Sequence, residues 1–89
     1  MDWNSAHKRI DGLELNELPD GYVIYQQPAD RVHYLNRTAA VVFELCDGKT
    51  TAAEISGVLE SLFDLSEPPA AEVEQCLERF LAEGLIQPA

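Results

Sequence analysis

At 89 residues the chain has room for one domain with one modest core. Hydrophobic residues make up 46% of it, which favours a packed fold over disorder. Its 16 acidic residues against 6 basic ones give a formal net charge of -10, which repels nucleic acid phosphates and anionic lipid surfaces and turns partner choice toward protein.

Residues 1–12 are polar and irregular and are expected to form a flexible lead-in, with the domain proper over 13–89. Lys8 and Arg9 are the adjacent basic pair there, and Trp3 or Ile10 is the residue able to dock on the body. Leu13 and Leu15 alternate with polar residues, as in a half-exposed strand. Pro19, Asp20 and Gly21 mark a turn, after which Tyr22, Val23, Ile24 and Tyr25 read as a second strand. Pro28, Ala29 and Asp30 supply the next turn, and Arg31, Val32, His33, Tyr34 and Leu35 form a third strand of the same type. Three short strands with tight connections predict an antiparallel meander.

The period then changes from two to about 3.6. Asn36 is a good N-cap, and Ala39, Ala40, Val42, Phe43 and Cys46 follow along one broad face, closed by Asp47 and Gly48. Thr51 to Glu54 fit a capping box, so a second helix is expected there, with Ile55, Val58, Leu59 and Leu62 as its buried stripe. Pro69 suits the first turn of a third helix, whose apolar face is Val73, Cys76, Leu77, Phe80 and Leu81. Gly84 ends it, and Leu85 and Ile86 predict a short closing strand or docked tail. The layout is βββααα, an α+β fold with a three-stranded antiparallel sheet followed by three helices.

Catalysis needs a nucleophile, base or metal held in a matched environment. His7 lies in the lead-in and His33 in a strand, where it reads as a surface histidine. No GxSxG, HExxH or phosphate-cradling glycine loop is present, and the carboxylates fall mostly on predicted exposed helix faces. No catalytic residue, metal or cofactor is therefore expected. Cys46 and Cys76 lack a CxxC or histidine cluster and read as reduced, buried thiols. No apolar run approaches the ~20 residues of a membrane span, and the first residues lack the pattern of a secretory signal. The expected location is cytoplasmic.

Several of these local signals recur together in a known order. Gly21-Tyr22-Val23-Ile24-Tyr25 is followed by Val32-His33-Tyr34-Leu35-Asn36, then by Leu45-Cys46-Asp47-Gly48 and Thr51-Ala52-Ala53-Glu54-Ile55. The close is Phe80-Leu81-Ala82-Glu83-Gly84-Leu85-Ile86. Across Gly21 to Ile86 the chain resembles the PqqD-like family of small winged-helix modules, the recognition elements for ribosomally made, modified peptides. The resemblance implies a winged-helix-like domain that binds the leader segment of a precursor peptide as an added strand. It implies a groove with one edge at Arg31, Val32, His33, Tyr34 and Leu35, and an opposite wall at Val73, Cys76, Leu77 and Phe80. The implied partners are the leader peptide and a modifying enzyme such as a radical-SAM protein, a cyclase or a leader protease. An edge strand suits this task, because its unpaired N–H and C=O groups can accept an extended peptide.

Two alternatives stand beside that reading. One is a regulatory or scaffolding subunit that binds only a partner enzyme. The other is a winged-helix DNA-binding protein, which would need Lys and Arg on its recognition helix. The third helix instead carries Glu72, Glu74, Glu78 and Glu83 against Arg79, and the second carries Glu54 and Glu60 and no base. The charge argues against nucleic acid and membrane partners.

Overall fold

The computed structural model describes residues 2–27 and 30–89. The turn expected at Pro28 and Ala29 lies outside them. In chain order the elements are β1 (Ala6–Arg9), β2 (Leu13–Leu18), β3 (Gly21–Gln26), β4 (Arg31–Asn36), α1 (Arg37–Glu44), β5 (Asp47–Thr51), α2 (Ala52–Leu62), α3 (Ala70–Ala82) and β6 (Ile86–Pro88). The fold is α+β, and its strands divide between two three-stranded antiparallel sheets, ordered β2-β3-β4 and β5-β1-β6.

The meander stands as expected. Leu13 pairs with Gln26 and Leu18 with Gly21, while Gly21 pairs with Asn36 and Gln26 with Arg31. Ile24, His33 and Leu35 are buried and face the helices, whereas Val32 and Tyr34 point to the opposite face. The Asn36 side chain accepts from the Ala39 N–H at 2.9 Å and starts α1. Thr51 and Glu54 form both halves of the capping box that starts α2. Phe43 of α1 meets Phe80 of α3 edge to face, with ring centroids 5.4 Å apart. Ile55, Leu59, Val73, Leu77 and Leu85 complete the fully buried core around that pair.

The simple βββααα order requires correction, because a second sheet was not expected. Within the lead-in expected to be irregular, Ala6–Arg9 is the central strand of the second sheet, flanked by β5 and β6. Arg9 ties it to the body. Its guanidinium donates to the Glu44 carbonyl at 3.2 Å, covering an open C-terminal carbonyl of α1, and its charge lies 5.9 Å from the centroid of the Phe43 ring. Asp47 and Gly48, read as the end of the first helix, belong to β5 instead. Gly48 has φ of 83° at a shift in the β1–β5 register, the kind of position where a bulge favours glycine. The backbone N–H groups of Thr50 and Lys49 bond the Asp47 carboxylate and hold it below its ordinary pKa. That contribution is present at neutral pH and is lost as pH falls through the lowered value.

α2 is also rotated from expectation. It buries Ala52, Ile55, Ser56 and Leu59, while Val58 and Leu62 remain 40% and 59% exposed. Both cysteines are free, but only Cys46 is buried, and it lies just past α1 rather than in a helix. Burial pushes the Cys46 thiol up to about 12, and its Sγ donates to the Val42 carbonyl at 3.3 Å. Cys76 is half-buried and raised less far by the same cause. Thiol-directed alkylation of the folded chain is expected to reach Cys76 well before Cys46, with both reacting once denaturant is added. Equal rates in the folded chain, read by mass spectrometry, would contradict the placement of Cys46.

Candidate functional site: the β4 edge and its groove

In an antiparallel ladder, a residue sends both its N–H and its C=O either toward the partner strand or away from it. The Leu35 carbonyl lies against Gly21 of β3. Leu35 and His33 therefore face β3, and Val32 and Tyr34 face the open side of β4. Consistent with this, the Tyr34 carbonyl accepts from Arg79 Nη2 of α3 at 3.1 Å. Among the described residues the sheet order leaves β4 with one strand neighbour, β3, so its other side is an edge. The groups that Val32 and Tyr34 turn to this side are their N–H and C=O, with the Tyr34 carbonyl accepting from Arg79.

A groove of about 320 Å³ opens between the end of β4, the start of α1 and α3. It is lined by Asn36, Thr38, Ala39, Glu72, Gln75, Cys76 and Arg79. Of the expected opposite wall, Cys76 alone reaches this groove. Val73, Leu77 and Phe80 are fully buried in the core, because the α3 stripe that packs on α1 and α2 has no second face to offer a ligand. On β4, Arg31, Val32 and Tyr34 are exposed, at 62% for Val32 and 50% for Tyr34, while His33 and Leu35 point inward. The expected edge is thus present, but its wall is polar.

His33 is not a surface histidine. It is 5% exposed, with Nε2 2.9 Å from Gln26 Oε1 and Nδ1 2.8 Å from Glu83 Oε2. Arg79 Nε lies 3.6 Å from the same carboxylate. Gln26, His33, Glu83 and Arg79 consequently link β3, β4 and the end of α3, and they fix the guanidinium beside the Tyr34 carbonyl. Desolvation first, and then hydrogen bonding to Asp20, raise the Tyr34 phenol above its ordinary pKa and keep it neutral. Sequence reasoning missed Glu72, Gln75 and Arg79 as groove residues. The available signal was Arg79 itself, a single base among the three glutamates of its helix.

Among the described residues, no group of three or more His, Cys, Asp or Glu is placed to hold a metal ion. No helix among them is long and apolar enough to cross a membrane. The arrangement offers hydrogen-bonding backbone, an exposed apolar and aromatic face at Val32 and Tyr34, and a guanidinium. It is equipped to hold an extended chain. The model of the family described as coenzyme PQQ synthesis protein D (PqqD) matches residues 21–86. No curated protein and no solved structure gives a match.

Proposed function

Since the chain belongs to the PqqD family over residues 21–86, we propose that it is a non-catalytic accessory protein of peptide-derived natural-product biosynthesis. In this reading it acts in the cytoplasm. It binds the leader segment of a ribosomally synthesised precursor as a strand beside β4 and presents the peptide to a modifying enzyme. The observation that carries the reading is the edge of β4, open beside a groove rather than covered by another strand.

Magnitudes indicate what else must contribute. Val32 and Tyr34 offer four outward backbone groups, and each hydrogen bond contributes about 0.5–1.5 kcal/mol net. Their sum, roughly 2–6 kcal/mol, falls short of the ~8 kcal/mol of micromolar affinity. Side-chain anchors at roughly 1.5–3 kcal/mol each have to supply the rest. With Val73, Leu77 and Phe80 committed to the core, the apolar partners left to a ligand are Val32 and Tyr34 on the outer face and Cys76 in the groove. Arg79 must release or share the Tyr34 carbonyl as the strand enters.

Titrating the isotope-labelled chain with the leader of the precursor encoded beside its gene tests this. Amide shifts are expected over Arg31–Asn36 and along the groove face of α3. Shifts confined to α2, or tight binding to the neighbouring enzyme with none to the leader, would overturn the reading and favour a scaffolding subunit.

A further inference from the structure

α2 breaks its own amphipathic rule. Val58 and Leu62 point outward, and Leu65 just beyond the helix is also exposed. Beside them Gly57 sits in mid-helix, where a Cβ would meet nothing within 4 Å. Glycine there weakens the helix relative to alanine, and no turn or close approach within the fold requires it. The result is a flat notch between Val58, Ser61 and Glu54. Leu62 lines this notch and also a second concavity against Leu18, Pro19, Tyr22 and Phe63. One apolar strip therefore runs along α2 to the β2–β3 turn.

Its rim is acidic. Glu54 borders the notch, and Glu17 and Glu44 border the second concavity. Arg37, the base that lines the strip, has its guanidinium over the Phe63 ring at 5.7 Å. A second copy of the chain does not suit this surface, because an isologous contact would bring the same carboxylates face to face. An anionic membrane is repelled for the same reason.

We infer that the α2 strip is a docking surface for an amphipathic helix of a partner protein, one whose apolar face is flanked by Lys and Arg. The Gly57 notch lets the partner's backbone approach closely, Val58 and Leu62 supply the buried contact, and the glutamate rim pairs with the basic flanks. Ala40, Val41 and Glu44 of α1 face this strip, while Thr38 and Ala39 face the β4 groove. The two surfaces lie on different sides of α1, so both can be occupied together. The inference stands whether or not the groove takes a leader peptide.

The probe is a synthetic leucine/lysine amphipathic helix, with a scrambled peptide of the same composition as control. Amide shifts of the full chain at physiological salt are expected at residues 53–65 and 18–22, with little change in β4. The amphipathic peptide should bind at least tenfold more tightly than the scramble. The double variant Val58→Gln, Leu62→Gln should remove that advantage while circular dichroism is unchanged, both side chains being exposed. Equal binding of the scramble would mean charge alone is at work and would overturn the inference. Shifts centred on β4, or an undiminished advantage in the folded double variant, would overturn it as well.

Discussion

Proline at position 32 is expected to weaken leader binding at least tenfold and to leave the fold intact, whereas proline at position 33 is expected to weaken the domain itself. The difference comes from the alternation along β4. The Val32 N–H faces the open side, so its loss removes a donor from the ligand while the β3–β4 ladder keeps its bonds, and an edge strand tolerates proline there. The His33 N–H faces β3. Its replacement deletes a ladder bond and also breaks the buried contacts of the imidazole with Gln26 and Glu83, for a loss on the order of 3 kcal/mol. Leader titration and urea unfolding of both variants check this. A folded Val32→Pro chain that binds normally would remove β4 from the site. A His33→Pro chain with undiminished stability would reverse the alternation.

Gly21→Ala is expected to be among the most damaging single-methyl changes in the protein, lowering stability by about 3 kcal/mol. The reason is not backbone freedom, since Gly21 is absent from the positive-φ glycines. A Cβ at this position would stand 2.9 Å from the Leu35 carbonyl carbon, nearer still to its oxygen, and 3.1 Å from the Asn36 Cα. These are backbone atoms of the paired strand and cannot turn aside as a side-chain tip would. Relief requires β3 and β4 to separate where Asn36 caps α1, so strain at one methyl reaches both the sheet and the first helix. The urea midpoint should fall steeply, while Gly57→Ala, which meets open space, should leave stability unchanged or raise it. Equal midpoints for Gly21→Ala and the parent chain would refute the close strand approach.

The elements legible in the sequence are those whose determinants lie within a few residues of one another. Asn36 and Thr51 announce helix starts because a cap bonds a backbone N–H three residues on. Tyr22 to Tyr25 and Arg31 to Leu35 have strand composition and short connections. Of the second sheet, Leu85 and Ile86 signalled the closing strand, and the other two strands had no such signal. His7 is the one buried residue of β1, β5 reads Asp-Gly-Lys-Thr-Thr as a turn does, and β6 has three residues. What makes them strands is the pairing of β1 with β5 and β6, partners far away along the chain, which no local pattern records.

The site divides in the same way. The position of the edge follows from strand order and was expected. Most of the wall that the resemblance implies lies in the core, and helical spacing in α3 cannot distinguish a stripe that packs inward from one that meets a ligand. Val73, Leu77 and Phe80 satisfy the periodicity by building the core. The α2 stripe failed for a related reason. Val58 and Leu62 are apolar at helical spacing, but the helix is turned so that Ala52 and Ser56 fill its close contacts instead.

The pairing of β1 with β6 has a topological consequence. His7 stands opposite Pro88 and the Ala89 N–H bonds the Ala6 carbonyl, so the polypeptide enters and leaves the domain at neighbouring points. Such a domain can be spliced into a surface loop of a larger protein without stretching its host, or circularly permuted by a short bridge between Ala89 and β1. Cutting at the bounds of the PqqD match, 21–86, is a different operation. It discards β1, the strand that holds β5 and β6 together, with β2 and all of β6 but Ile86, and leaves β5 without its strand partner.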